Sequence, residues 1–132
     1  MPQKKNVTWE EIESYCSILE KTIRGLGISF QSISTISRGG LVPSRLLADR
    51  LGIKKILVDN DTIPKDSLFV DDIYDTGNTF EKISPKAENI DDMIYATIFA
   101  RKGKKFPKQL IYGKMTDGDE YIVFPWDRFE HK

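Results

Sequence analysis

The chain has 132 residues, 39% of them hydrophobic, which is enough for one core and one domain but not for two. Lys plus Arg total 20 and Asp plus Glu total 20, so no net field steers the chain to nucleic acid or to a membrane. The single cysteine, Cys16, excludes an internal disulfide and a Cys-rich zinc site, and the single histidine, His131, leaves no basis for a His-rich metal centre.

The opening residues 1–6 are polar and do not read as an apolar leader. No apolar run approaches the ~20 residues that span a bilayer. The expectation is a cytoplasmic protein with no membrane segment. Thr8 followed by Glu11 is a capping box that predicts a helix start. Trp9, Ile12, Cys16, Leu19 and Ile23 then recur at three- and four-residue spacing, one apolar helix face, with Gly25 and Gly27 ending it. Residues 33–36 read as a short strand and residues 37–40 as a tight loop. Pro43 falls in the first turn of a helix carrying Leu46, Leu47 and Leu51, closed by Gly52. The exposed face of that helix is expected to carry Arg45, Asp49 and Arg50.

Residues 56–58 read as a strand, and residues 59–67 as a polar loop with Pro64. Leu68-Phe69-Val70 is a short strand running into Asp71 and Asp72. Pro85 limits residues 79–83 to a brief helix. Residues 94–99, 110–112 and 121–123 are further strand candidates. Strands alternating with helices predict an α/β class with a mostly parallel sheet. In such sheets ligands bind beyond the C-terminal ends of the strands. The loops at 37–40 and 73–79 both lie at such ends.

The strongest segment runs from Phe69 to Thr79. A strand delivers two acids, and a loop follows that ends in Thr76-Gly77-Asn78-Thr79 at a helix start. Successive N–H groups of such a loop can wrap one phosphate. Gly77 permits a turn that a side chain would block, and Thr76 and Thr79 add hydroxyl donors. Asp71 and Asp72 cannot bind phosphate directly. They suit ribose hydroxyls and a Mg²⁺ ion, which prefers oxygen ligands. An anion site beside a diol or metal site describes a phosphorylated ribose.

This segment resembles the phosphoribosyl pyrophosphate (PRPP) motif of type I phosphoribosyltransferases. Ser37-Arg38-Gly39-Gly40-Leu41-Val42-Pro43 resembles the pyrophosphate loop of the bacterial xanthine-guanine phosphoribosyltransferases. Thr97-Ile98-Phe99-Ala100 with Arg101 resembles their purine-side strand, and residues 121–127 their C-terminal purine segment. The likeness covers nearly all of residues 1–132, read as one phosphoribosyltransferase domain with a small C-terminal purine-side segment. It implies a Mg²⁺-dependent transfer from PRPP to a 6-oxopurine, giving a purine nucleoside monophosphate and pyrophosphate, by a homo-oligomer. A PRPP- or nucleotide-binding regulator without catalysis is the alternative on the same fold.

The resemblance assigns roles by position. Asp75, Thr76, Gly77, Asn78 and Thr79 would cradle the 5′-phosphate, with Asp75 also the base near the purine. Asp71 and Asp72 would face the ribose, and Asp72 the metal. Ser37, Arg38 and Gly39 would hold pyrophosphate, Arg38 stabilising the leaving charge, with a cis peptide expected at Ser37–Arg38. Arg101 would address the 6-oxo group, Tyr121 would stack on the ring, and Ile122 and Val123 would offer backbone groups to the 2-position.

Three features depart from the family. Only residues 59–67 stand where it has a long flexible loop. Arg101 replaces a Lys, and Arg is a planar fork rather than a point charge. Tyr121 replaces a Trp. The basic run Arg101-Lys102-Gly103-Lys104-Lys105 is expected to be a solvated loop rather than a nucleic-acid face. Asp71-Asp72 with Asp75 also matches the acidic motif of prenyl-diphosphate synthases, but that motif sits on long helices, not after a strand.

Overall fold

The computed structural model describes residues 3–127; His131 lies outside them. Helix α1 spans Trp9–Gly25 and opens on the expected capping box. The Glu11 N–H donates to the Thr8 hydroxyl, and the Thr8 N–H donates to the Glu11 carboxylate, both at 3.1 Å. Ile12, Cys16, Leu19 and Ile23 are buried. Trp9 departs from that stripe: it is half exposed and tilts against Trp126 at 5.7 Å. Helix α2, Leu41–Leu51, buries Pro43, Ser44, Leu47 and Ala48. Arg50 is not on an open face as expected. It crosses to α1, donating to Glu13 at 2.7 Å and Glu20 at 3.1 Å.

Counting a strand β1 at Lys4–Asn6, the main sheet is built from β2 (Ser32–Thr35), β3 (Ile56–Val58), β4 (Ser67–Tyr74), β5 (Tyr95–Ala100) and β6 (Leu110–Met115). It runs β3-β2-β4-β5-β6, and every pairing is parallel. From β2 the chain steps outward to β3, then returns to the other side of β2 and proceeds through β4, β5 and β6. The order therefore reverses between β2 and β4, and a crevice opens beyond their C-terminal ends. The polar sequence Ser-Ile-Ser-Thr is buried in β2 because its hydroxyls are satisfied across the sheet. Ser34 and Ser67 share a hydrogen bond of 2.6 Å, and Thr35 donates to the Val70 carbonyl at 2.6 Å.

Helices cover both faces. α1 and α2 pack with Ile33, Leu68, Val70, Ala96 and Ile98 in the larger core. A second core, of Ile63, Phe69, Tyr74, Ile83, Met93 and Tyr95, includes the short helix α3 (Asn78–Ile83). The strand predicted at residues 121–123, β7, is present but lies outside the main sheet. It forms a parallel two-stranded ladder with β1, Lys4 beside Tyr121 and Asn6 beside Val123. β1 has no apolar pattern and was not expected from the sequence. No helix among the described residues is long and apolar enough to cross a membrane.

Candidate active site

β4 is longer than its apolar start suggests. Pairing with β5 continues through Asp71 beside Thr97 to Tyr74 beside Ala100, so both acids stand on the strand itself. They wall a cavity of about 270 Å³, with Ser37 and Gly39 from the tip of β2, residues 75–79, and Tyr95 from β5. Residues 71–79 thus turn through a concave loop before α3. At its apex Gly77 holds φ +87°, a left-handed conformation that glycine adopts without penalty. The Asn78 N–H donates to the Thr76 hydroxyl at 3.3 Å.

Asp71 is 5% exposed. One of its oxygens accepts the Asp72 N–H at 2.8 Å, and the other accepts the Tyr95 hydroxyl at 3.2 Å. Burial, and then the neighbouring Asp72 charge, push its carboxyl well above the usual range. Asp72 accepts the Ile73 N–H at 2.7 Å and faces the β2 loop. A Cβ on Gly39 would stand 2.7 Å from Asp72 Oδ2, so the loop approaches this carboxylate as closely as it does only because residue 39 has no side chain.

The peptide Ser37–Arg38 is cis, as expected. Ser37 lines the cavity, but its N–H and hydroxyl donate to the Asp59 carboxylate at 2.9 and 2.6 Å. Arg38, exposed, stands between Ser37 and Gly39. The donor set fits Mg²⁺ only together with a phosphorylated ligand. Among the described residues no three His, Cys, Asp or Glu side chains are grouped to hold a metal. Mg²⁺ is commonly bound by one or two carboxylates completed by substrate phosphates and water, which Asp72, with Asp71 behind it, can provide.

A second cavity, of about 660 Å³, adjoins the first, and Asp75 lines both. Its other walls are Arg101, Lys102, Lys104, residues 117–119 and Tyr121. The Arg101 side chain is 11% exposed, with Nε donating to Asp75 at 3.3 Å. Its Nη1 donates to the carbonyls of Glu120 at 2.7 Å and Gly118 at 3.2 Å. Tyr121, 46% exposed, lines this cavity. Ile122 and Val123 are buried and line neither cavity, and the Val123 carbonyl accepts the Val7 N–H at 2.9 Å. Of the predicted purine-side residues, the structure therefore brings Arg101 and Tyr121 into the cavity and leaves Ile122 and Val123 in the ladder with β1.

Two residues that matter here were missed from sequence. Tyr95, in an apolar strand, looks like core until its register beside Phe69 and its bond to Asp71 are seen. Asp59 looked like the start of a polar loop. The available signal was an acid directly after a strand, where Asp tolerates the positive φ, +55°, that it adopts.

Protein-family models give no match to this chain. Solved structures do. A hypothetical protein from Neisseria gonorrhoeae with bound ppGpp superposes with a TM-score of 0.75 at 22% identity, covering 96% of this chain and 90% of that one. A purine phosphoribosyltransferase from Pyrococcus horikoshii gives 0.73 at 21% identity, covering 96% and 94%. The Helicobacter pylori xanthine-guanine-hypoxanthine phosphoribosyltransferase gives 0.74 at 19% identity, covering 94% and 93%. The chain has the type I phosphoribosyltransferase fold, as its sequence motifs implied.

Proposed function

We propose that this chain transfers the phosphoribosyl group of PRPP to a 6-oxopurine, with Mg²⁺, releasing pyrophosphate and a purine nucleoside monophosphate. The observation that carries the reading is the pair of cavities meeting at Asp75. One has the concave loop of residues 75–79 and the paired acids that suit a 5-phosphoribosyl group. The other has an aromatic ring and a guanidinium, which suit a flat, carbonyl-bearing base. A ligand spanning both puts the bond between ribose and base beside Asp75.

In this arrangement the 5′-phosphate sits in the loop of residues 75–79, and the ribose hydroxyls face Asp71 and Asp72. The pyrophosphate lies against Arg38 and Gly39. The base stacks on Tyr121 and meets Arg101 through Nη2, since Nε and Nη1 are engaged with the protein. The bond from C1′ to the pyrophosphate oxygen breaks and a bond from C1′ to a purine ring nitrogen forms. The proton on that imidazole ring is lost, with the Asp75 carboxylate placed to receive it. Mg²⁺, when bound, would offset charge on the departing pyrophosphate. Holding both reactants in line supplies much of the remaining acceleration.

A purine-nucleotide regulator without turnover is the second reading. The Neisseria protein with bound ppGpp favours it, as does the way residues 59–66 are tied down rather than poised above the site. The assay that separates the two incubates the chain with PRPP, Mg²⁺ and guanine, xanthine or hypoxanthine in turn. Transfer yields nucleoside monophosphate and pyrophosphate in equal amounts. No product with any of the three bases removes the first reading, and nucleotide binding without product selects the second.

A further inference from the structure

We infer that Asp59 is a positioning residue for the pyrophosphate subsite, and that residues 59–66 brace that subsite instead of closing over it. The inference rests on the reading that Arg38 and Gly39 hold pyrophosphate. It begins with geometry. Asp59 follows β3 directly, and its N–H donates to the Thr35 carbonyl at 3.0 Å, which fixes it beside the tip of β2. Its carboxylate accepts two bonds from Ser37, one from the N–H at 2.9 Å and one from the hydroxyl at 2.6 Å. A carboxylate bound by two donors of one residue fixes that residue in orientation as well as position. Ser37 immediately precedes Arg38 and Gly39, so the bracket sets where their groups face.

The remainder of the segment is equally tied. Ile63 is 3% exposed in the second core. Its N–H donates to the Lys86 carbonyl at 2.8 Å, and its own carbonyl accepts the Glu88 N–H at 3.0 Å. The Lys65 N–H donates to the Glu88 carboxylate at 3.0 Å. A loop held at 59, 63 and 65 is a strut. Asp59 is itself kept ionised by its surroundings: the Ser37 hydroxyl and N–H hold its carboxyl below the ordinary value, with Lys82 and Lys86 adding to the effect.

The test uses Asp59→Gly and Asp59→Asn in the full chain. Gly accepts the positive φ, so Asp59→Gly removes the carboxylate without adding backbone strain. Asp59→Asn keeps the side chain's size and loses its charge. PRPP affinity in the presence of Mg²⁺ and guanosine monophosphate affinity are measured side by side, with thermal midpoints for each variant. The nucleotide has a 5′-phosphate but no pyrophosphate. The expected result is a loss of roughly tenfold or more for PRPP in Asp59→Gly, as for a charge-assisted pair removed. A smaller loss is expected in Asp59→Asn, with nucleotide affinity unchanged in both. Equal losses for the two ligands, or PRPP affinity within about twofold of wild type, would overturn the inference while leaving the transferase reading standing. A wild-type chain that binds neither ligand would take down both.

Discussion

Asp75 and Arg101 form an ion pair of 3.3 Å on the seam between the two cavities. The acid comes from the loop after β4 and the base from the end of β5, joined there by the Arg101 N–H donating to the Tyr74 carbonyl at 2.8 Å. Sheet register therefore couples the loop of residues 75–79 to the second cavity. On the proposed transfer, a carboxylate at this seam would handle a proton that its amide could not.

Asp75→Asn is expected to lower turnover by about 10²–10⁴-fold, the usual contribution of general acid–base catalysis. Its side chain is 47% exposed, so the lost pair should change stability by about 1 kcal/mol or less. Steady-state kinetics and a thermal melt check the two halves together. A variant that melts like wild type and retains full turnover would remove Asp75 from the chemistry.

Tyr95→Phe isolates one hydroxyl. The ring packs against Phe69 at 5.1 Å and Phe80 at 5.5 Å, and phenylalanine preserves both contacts. What disappears is the donor to buried Asp71. A buried acceptor deprived of a partner costs about 1–3 kcal/mol. Urea unfolding should show that loss, and the KM for PRPP should rise because Asp71 is no longer held. Unchanged stability and KM would mean the bond has no consequence.

Gly39→Ala should weaken PRPP binding without unfolding the protein, because its methyl would stand 2.7 Å from Asp72 Oδ2 and must displace the carboxylate or the loop. Gly25→Ala is the control. Its Cβ meets nothing within 4 Å and it ends a helix, so turnover should be unchanged and stability at most about 1 kcal/mol higher. Equal PRPP KM values for the two variants would contradict the close approach.

Cys16 should be inert in the folded state. It lies on the buried face of α1, fully buried, and burial raises its thiol from 9.0 to about 11. A thiol reagent at pH 8 should label it only as fast as the protein opens, and at once in denaturant. The sign for stability follows. A raised value means the folded chain holds this proton more tightly, so the contribution is full below about pH 9 and falls away as pH climbs towards 11. Rapid native labelling at pH 8 would show that α1 is not packed as described.

Much of this was legible in the sequence because it is encoded locally. The capping box of Thr8 and Glu11, the apolar stripe of α1, and the strand–acids–loop–helix run from Phe69 to Thr79 each sit within a short window. What escaped is non-local. Lys4–Asn6 has no apolar periodicity and becomes a strand only because Tyr121–Val123 lies beside it. Residues 59–66 look like a free polar loop until Ile63 is found in a core contributed by β4, β5 and α3. Arg101 reads as a ligand contact, yet two carbonyls 17 and 19 residues further along the chain bind its Nη1. Only three-dimensional adjacency shows that cost to its remaining donors.

The most direct measurement is a crystal structure of the chain with guanosine monophosphate. The 5′-phosphate should lie against the N–H groups of residues 76–79, the ribose beside Asp71 and Asp72, and the purine over Tyr121 with its 6-oxo group towards Arg101. A nucleotide bound elsewhere, or reversed so that the base fills the loop of residues 75–79, would contradict the account.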